Sequence, residues 1–247
     1  LAAPIIETTI ENAQMTKYAA NAFLAMRVSF VNEIANICER VGADVAKVAV
    51  GMGLDPRIGP AFLRAGVGFG GFCFPKDLQA FIRIAEKSGY DFRLLREVER
   101  INIEQIERFF QKIKTELWVL QGKRIGVWGL AFKPDTDDVR FAPALAVIEK
   151  LLAEGAVVAA YDPRAIGEAR AVLPEDSKRI VYCASAEEAA RGADALAIFT
   201  DWKEFLSVDL ERVRASMSRP LVLDGRNMFH PDEMRRLGFE YWSVGRP

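Results

Sequence analysis

Apolar and polar positions change rhythm once along this chain, near residue 120. Before that point the spacing is helical. Thr8 and Glu11 have the spacing of a capping box, apolar residues then recur at helical intervals to Val41, and Gly42 follows Glu39-Arg40 as a helix stop. The pattern predicts one helix over 8–41, roughly 45–50 Å long at its usual rise per residue. Ordinary helices run three or four turns, and one of this size bridges domains or subunits. Phe23, Leu24, Met26, Phe30, Ile34 and Ile37 cannot share one stripe, so more than one face is expected to be buried, one of them in a homodimer. A short helix over 44–50, a break at Gly51-Met52-Gly53 and a helix over 60–65 follow. Next come a glycine-rich loop over 66–74, a helix over 75–88 stopped by Gly89, and a long amphipathic helix over 91–118.

After Gly122 short β-branched runs take over. KRIGVWGL, AVVAAYDP, RIVYCA, ADALAIFT and PLVLDGRN read as strands, with helices over 143–154 and at SAEEAARG between them. Strands alternating with helices build a parallel, doubly wound sheet. The expected fold is α/β: an all-helical central domain with a long bridging helix over 1–120, then a Rossmann-like doubly wound parallel sheet over 121–247.

Composition narrows the function. The chain has 247 residues, 51% of them hydrophobic, which is enough for a real core. Net charge is −1 with 27% charged residues, so the concentrated basic surface of a nucleic-acid binder is missing. No apolar run is long enough to span a bilayer. The opening LAAPIIETTIEN has neither the charged region nor the apolar stretch of a signal peptide. It also lacks an initiator Met, as expected of a fragment or processed chain. Cys38, Cys73 and Cys183 are far apart and form no CxxC pair, which speaks against disulfides and structural zinc and for a reducing cytoplasm. His230 is the only histidine; it reads as a surface residue at a helix start and leaves little for a histidine-based mechanism.

The loop over 66–74 carries the candidate chemistry. Gly66-Val67-Gly68-Phe69-Gly70-Gly71 matches GxGxxG, but a helix precedes it and Phe72-Cys73-Phe74-Pro75 follows. A dinucleotide fingerprint needs a strand before and a helix directly after, so the match is rejected. What remains is a thiol at a helix start. Pro75 suits the first helical position, which places Cys73 just outside, facing free N–H groups and the positive dipole end. Lys76 adds a cation, and together these favour a nucleophilic thiolate. Asp77, four residues on, is expected on the same side. The glycines are expected to let a substrate approach the backbone. Read from the residues alone, Cys73 serves equally as a small buried filler.

The stretch GVGFGGFCFPKD resembles the catalytic-cysteine signature of the UDP-glucose/GDP-mannose dehydrogenase family. KYAANAFLAMRVSFVNEIANICERVGAD, LAFKPDTDDVR with Pro143 after it, and VLDGRN agree, occur in family order and cover nearly the whole chain. Phe72 departs from the pattern, which usually has a small residue there. The family's N-terminal NAD-binding domain, with its glycine fingerprint and a catalytic glutamate, is expected to be absent from these residues.

The resemblance implies NAD-dependent oxidation of a nucleotide sugar, UDP-glucose, at C6, through a thiohemiacetal and then a thioester on Cys73. GDP-mannose is the alternative substrate, and a non-catalytic nucleotide-sugar-binding fragment the alternative role. Lys17 and Asn21, i and i+4 on one helix face, read otherwise as a solvated lysine at a domain edge; the resemblance makes them oxyanion donors. It makes Asp77 the residue that orders water or acts as base. Arg57, Phe62 and Arg64 read by themselves as a surface face with one core aromatic. By resemblance they contact the substrate, as do Gly70, Phe74, Phe132, Lys133 and Arg226. Lys76 and Arg140 would approach the cofactor. Gly126 to Gly129 form a degraded dinucleotide turn, and Asp162, Asp135, Asp137 and Asp138 are expected to be structural or solvated.

Overall fold

Thr9, rather than Thr8, closes the start of the long helix. In the computed structural model, which describes residues 4–176 and 178–246, α1 runs Ile10–Val41 and Thr9 Oγ1 accepts the Asn12 N–H at 3.3 Å. Thr8 Oγ1 accepts the Asn12 side-chain amide at 3.0 Å instead. Asn12 engages both hydroxyls, and the expected cap slips by one residue. Residues 1–3 of the predicted helical region lie outside the described residues. Gly42 ends α1 in the left-handed conformation, φ 73°, as a glycine after the last turn should.

Small side chains give α1 its packing face. Ala22, Ala25, Ser29, Ala35 and Cys38 are buried where α3 (Cys73–Lys87) and α4 (Arg93–Leu117) lie against it. Phe23, Phe30 and Ile37, seven residues apart, remain about half exposed on another face.

Two expected boundaries move. The helix α2 spans Val45–Gly53 and runs through the expected glycine break. Gly53 is used for contact: a Cβ there would sit 3.0 Å from Pro60 Cα. The predicted helix over 60–65 does not form. Leu63 and Ala65 are buried there, but the backbone is held by side chains. Arg27 donates to the Ile58 and Gly59 carbonyls at 2.8 and 2.7 Å, and Asn32 Oδ1 accepts the Gly66 N–H at 2.9 Å. Those bonds pin the chain on both sides of the stretch.

The second half winds through β1 (Arg124–Trp128), α5 (Pro143–Ala153), β2 (Val157–Tyr161), α6 (Ile166–Val172), β3 (Ile180–Tyr182), α7 (Ala186–Ala190), β4 (Ala195–Ile198), α8 (Leu210–Ser216), β5 (Leu221–Asp224), α9 (Pro231–Arg236) and β6 (Glu240–Ser243). All neighbouring strands are parallel, in the order β3-β2-β1-β4-β5-β6. The winding direction reverses between β1 and β4, and the crevice at their carboxyl ends is where open α/β sheets bind ligands. The edge strand β6 is legible only with the fold in hand, because it alternates exposed and buried positions over just four residues.

One core runs from Val31, Ala35 and Cys38 of α1 through Phe109 and Ile113 of α4 into the sheet. A smaller cluster joins Ala22 and Ala25 to Phe69, Leu78, Leu95 and Val98. The change of rhythm near residue 120 marks a change of architecture, but the core crosses it.

Candidate active site

The glycine loop lies on the switch point, held from both sides. Toward the helices, the Gly66 carbonyl accepts from Gln105 Nε2 at 2.9 Å, and the Asn102 amide exchanges two bonds with the Phe69 backbone, at 2.8 and 3.0 Å. Toward the sheet, the Val67 N–H donates to Gly225 O and the Gly71 N–H to Arg140 O, both at 2.9 Å. A Cβ on Gly70 would meet Phe141 O at 2.3 Å. One on Gly71, at φ 80°, would meet the Phe132 ring at 2.7 Å. The expectation that these glycines open the backbone to a substrate is therefore corrected: at Gly70 and Gly71 the space is filled by the second half of the chain.

Helix α3 begins at Cys73 itself, two residues earlier than expected, with Phe72 as N-cap and no capping side chain. Pro75 is thus the third helical residue. Its missing N–H still removes nothing, since the first N–H groups of a helix have no intrahelical partner. Cys73 is exposed, whereas Cys38 and Cys183 are buried, and burial pushes both of those thiols up. One thiol is available to a substrate.

One turn into α3, buried Asp77 gathers the predicted polar residues. Its Oδ2 accepts from Lys17 Nζ at 2.9 Å and from Asn21 Nδ2 at 2.6 Å. Lys76 Nζ stands 2.8 Å from Oδ1 as an ion pair outside hydrogen-bond geometry, so Oδ1 has no hydrogen-bond partner. Burial pushes the Asp77 carboxyl up, but Lys76, Lys17 and Asn21 outweigh it and hold it at about 2. A carboxylate that reluctant to take a proton is a poor general base near neutrality. The geometry suits the other expectation, an anion that orients its neighbours. Lys17 and Asn21 each keep further N–H donors.

At the carboxyl ends of β1, β4 and β5 the structure gathers cations. Arg226 donates to three carbonyls: Phe199 O at 2.6 Å, Phe132 O at 3.0 Å and Gly68 O at 3.5 Å. Burial pushes its guanidinium pKa down, and among the described residues it makes no ion pair. Asp201 and Asp224 attract the guanidinium, and with no direct ion pair it keeps charge for an anionic ligand. Lys133 is exposed beside it, 5.4 Å over the Phe132 ring. Arg64 pairs with Asp201 at 3.1 Å. Asp201 was not singled out in the sequence, although its place just after β4 is the available signal.

Phe62 corrects its reading as a core aromatic. It is 42% exposed with φ 60°, and it starts a file of rings: Phe62 to Phe74 at 6.3 Å, then Phe74 to Phe69 at 5.6 Å. Arg57 stands apart from this group, 87% exposed and spent on Asp55 at 2.6 Å. Asp138 is corrected from a solvated acid: it grips the Arg140 guanidinium at 2.9 and 2.7 Å, while Asp135 and Asp137 are exposed.

The degraded turn after β1 does not fit a dinucleotide. The Leu130 and Ala131 N–H groups, placed where a pyrophosphate would need donors, go to Asp162 Oδ2 at 2.7 and 3.1 Å. Trp202 Nε1 also donates to that oxygen, at 3.0 Å. Gly129 backs onto Thr200, and the next helix starts only at Pro143. Asp162 is structural, as expected.

Comparison with known proteins agrees with this arrangement. Residues 11–104 match the UDP-glucose/GDP-mannose dehydrogenase family, central domain, and residues 126–231 match the same family's UDP binding domain. The chain is 51% identical over 245 residues to the UDP-glucose 6-dehydrogenase TuaD of Bacillus subtilis, covering 99% of itself and 52% of that protein. It is 48% identical over 239 residues to the UDP-glucose 6-dehydrogenase of Pseudomonas aeruginosa, covering 95% and 52%. The solved UDP-glucose dehydrogenase of Pyrobaculum islandicum superposes with a TM-score of 0.88 at 36% identity, over 99% of this chain and 54% of that one. The chain spans about half the length of the relatives it matches. With both domain matches in family order, and with an exposed cysteine set before an oriented Lys-Asn-Asp group, the chain belongs to the UDP-glucose/GDP-mannose dehydrogenase family.

Proposed function

We propose that these residues form the sugar-nucleotide and thiol half of a UDP-glucose 6-dehydrogenase, producing UDP-glucuronate. The observation that carries this is the single exposed thiol, Cys73, one helical turn from Asp77 with Lys17 and Asn21 bound to it. Support for UDP-glucose over GDP-mannose comes from the relatives at 51% and 48% identity. NAD supplies the hydride acceptor for both oxidations. Since the turn after β1 is filled by Asp162, no step is assigned to a dinucleotide held there. Lys76 and Arg140, beside Cys73, are the residues here that would face it.

Cys73 carries the sugar carbon between the two oxidations. Its thiolate adds to the C6 aldehyde, forming a C–S bond and a thiohemiacetal oxyanion. Lys17 and Asn21, oriented by Asp77, donate to that oxyanion. Loss of a hydride from C6, to the acceptor that NAD would supply, turns the thiohemiacetal into a thioester; water then attacks it, the C–S bond breaks, and carboxylate, thiol and a proton are released. Arg226, Lys133 and Arg64 would hold the diphosphate, Arg by its planar fork. Phe62, Phe74 and Phe132 would wall the nucleotide sugar. Arg57, exposed and apart, is left for a neighbouring subunit.

Calorimetric titration of the 247-residue chain with UDP-glucose tests this grip. Binding is expected, weakened roughly tenfold by Lys133→Ala; equal affinity for the variant, or no heat at all, would remove Lys133 or the site. The same residues without turnover are the second reading, a nucleotide-sugar-binding unit, which the Asp162-filled turn favours for the chain by itself.

We also propose a homodimer through α1, because Phe23, Phe30 and Ile37 line a half-exposed stripe at heptad spacing. Light scattering should give twice the 27.5 kDa chain mass, and Phe30→Asp should shift it to monomer. A monomeric wild-type chain at micromolar concentration would count against it. A reducing cytoplasm is the compartment this reading requires, since Cys73 must stay a thiol; no helix among the described residues is long and apolar enough to cross a membrane.

A further inference from the structure

Phe72 stands immediately before Cys73 and is 40% exposed, but its ring holds two cations. Arg140 Cζ lies 4.4 Å from the ring centroid and Lys76 Nζ 5.4 Å. They come from different halves of the chain. Lys76 is in the first turn of α3, and Arg140 lies between β1 and α5. Arg140 is itself fixed: Asp138 takes its Nε and Nη2, and its carbonyl accepts the Gly71 N–H. The face of an aromatic ring attracts such cations electrostatically. Phe72 also brings no capping oxygen to α3, whereas a hydroxyl in that place would accept a first-turn N–H.

We propose that Phe72 is a positioning residue for Cys73, a stacking platform that keeps Arg140 and Lys76 beside the thiol and ties the start of α3 to the sheet half. Lys76 shares the first turn of α3 with Cys73, and the Arg140 carbonyl holds Gly71 two residues before it, so both cations border the approach to the sulfur. Asp138 and Asp77 each hold one of these cations, so neither cation relies on the ring alone. The ring sets where they point. The inference rests on the proposed reaction only in taking Cys73 as the reacting group.

The test needs neither sugar nor cofactor. Iodoacetamide alkylation of the 247-residue chain at neutral pH is followed by mass spectrometry, with buried Cys38 and Cys183 as internal references. Phe72→Leu should slow Cys73 alkylation about two- to fivefold, the worth of an exposed cation–π contact. Phe72→Tyr should restore the wild-type rate. Arg140→Ala should also slow it, and adding Phe72→Leu to Arg140→Ala should cost less than Phe72→Leu costs alone. Alkylation of the Leu variant at the wild-type rate, a Tyr variant as slow as Leu, or fully additive losses would overturn the proposal. So would a slowing that only tracks a lower Tm in both variants. If Cys73 proved dispensable for sugar oxidation while this coupling persisted, the covalent role of Cys73 would fail and the platform would stand.

Discussion

Cys73→Ser, in a protein that joins this sequence to a dinucleotide-binding domain, is expected to lose acid formation by on the order of a thousandfold or more. The hydroxyl is a far weaker nucleophile near neutrality, and α3 offers it no base. Asp77 is ionised but held at about 2, and the single histidine, His230, is exposed at the start of α9 on the sheet half. Cys38 and Cys183 are buried and cannot substitute. Affinity for UDP-glucose should stay within about threefold of wild type, because the cations proposed to grip the diphosphate are Arg226, Lys133 and Arg64. Quenched-flow product analysis checks the first part and calorimetry the second. A serine variant that formed UDP-glucuronate at the wild-type rate would show that no covalent intermediate is needed.

Gly70→Ala should be the most damaging small substitution in the loop. Its Cβ would lie 2.3 Å from the Phe141 carbonyl oxygen and 3.0 Å from Pro143 Cδ. The obstacle is backbone, which cannot rotate away as a side chain tip can. The loop would have to leave the sheet half, straining the Gly71 to Arg140 bond and, with it, the approach of Arg140 to Cys73. A loss of about 3 kcal/mol is expected, seen as a fall in Tm of roughly 6–12 °C. Gly51 is the control. It sits inside α2 with nothing within 4 Å of an added Cβ, so Gly51→Ala should stabilise by about 0.5–1 kcal/mol. Equal melting curves for Gly70→Ala and wild type would mean that the loop does not need this close approach.

The architecture was legible wherever periodicity alone decides it. The long α1, the amphipathic α4 and the apolar runs of β1, β2, β4 and β5 all announce themselves. What was not legible depends on contacts between distant segments. The stretch over 60–65 has apolar residues at helical spacing, but Arg27 and Asn32 of α1 take the backbone groups on either side of it, at Ile58, Gly59 and Gly66. Gly51-Met52-Gly53 reads as a break, yet α2 passes through it and uses Gly53 to admit Pro60. In the candidate site, the i, i+4 pairing of Lys17 with Asn21 indicated that these two side chains share a face. No spacing could show that 56 residues separate Asn21 from the carboxylate it binds. Asp138 as the partner of Arg140 and the three carbonyls around Arg226 likewise follow only from the folded chain. The glycines were visible as a motif, but what fills the space beside them was not.

The most direct test of the central claim is the count of NADH formed per UDP-glucose consumed by the joined protein, with the 247-residue chain alone as control. A thiol that holds the sugar carbon between two oxidations predicts two NADH for each UDP-glucose, UDP-glucuronate as product and no free aldehyde. The chain alone, with Asp162 filling its glycine turn, should yield none. One NADH with release of the aldehyde would contradict the role given to Cys73, and NADH from the chain alone would contradict the reading of that turn.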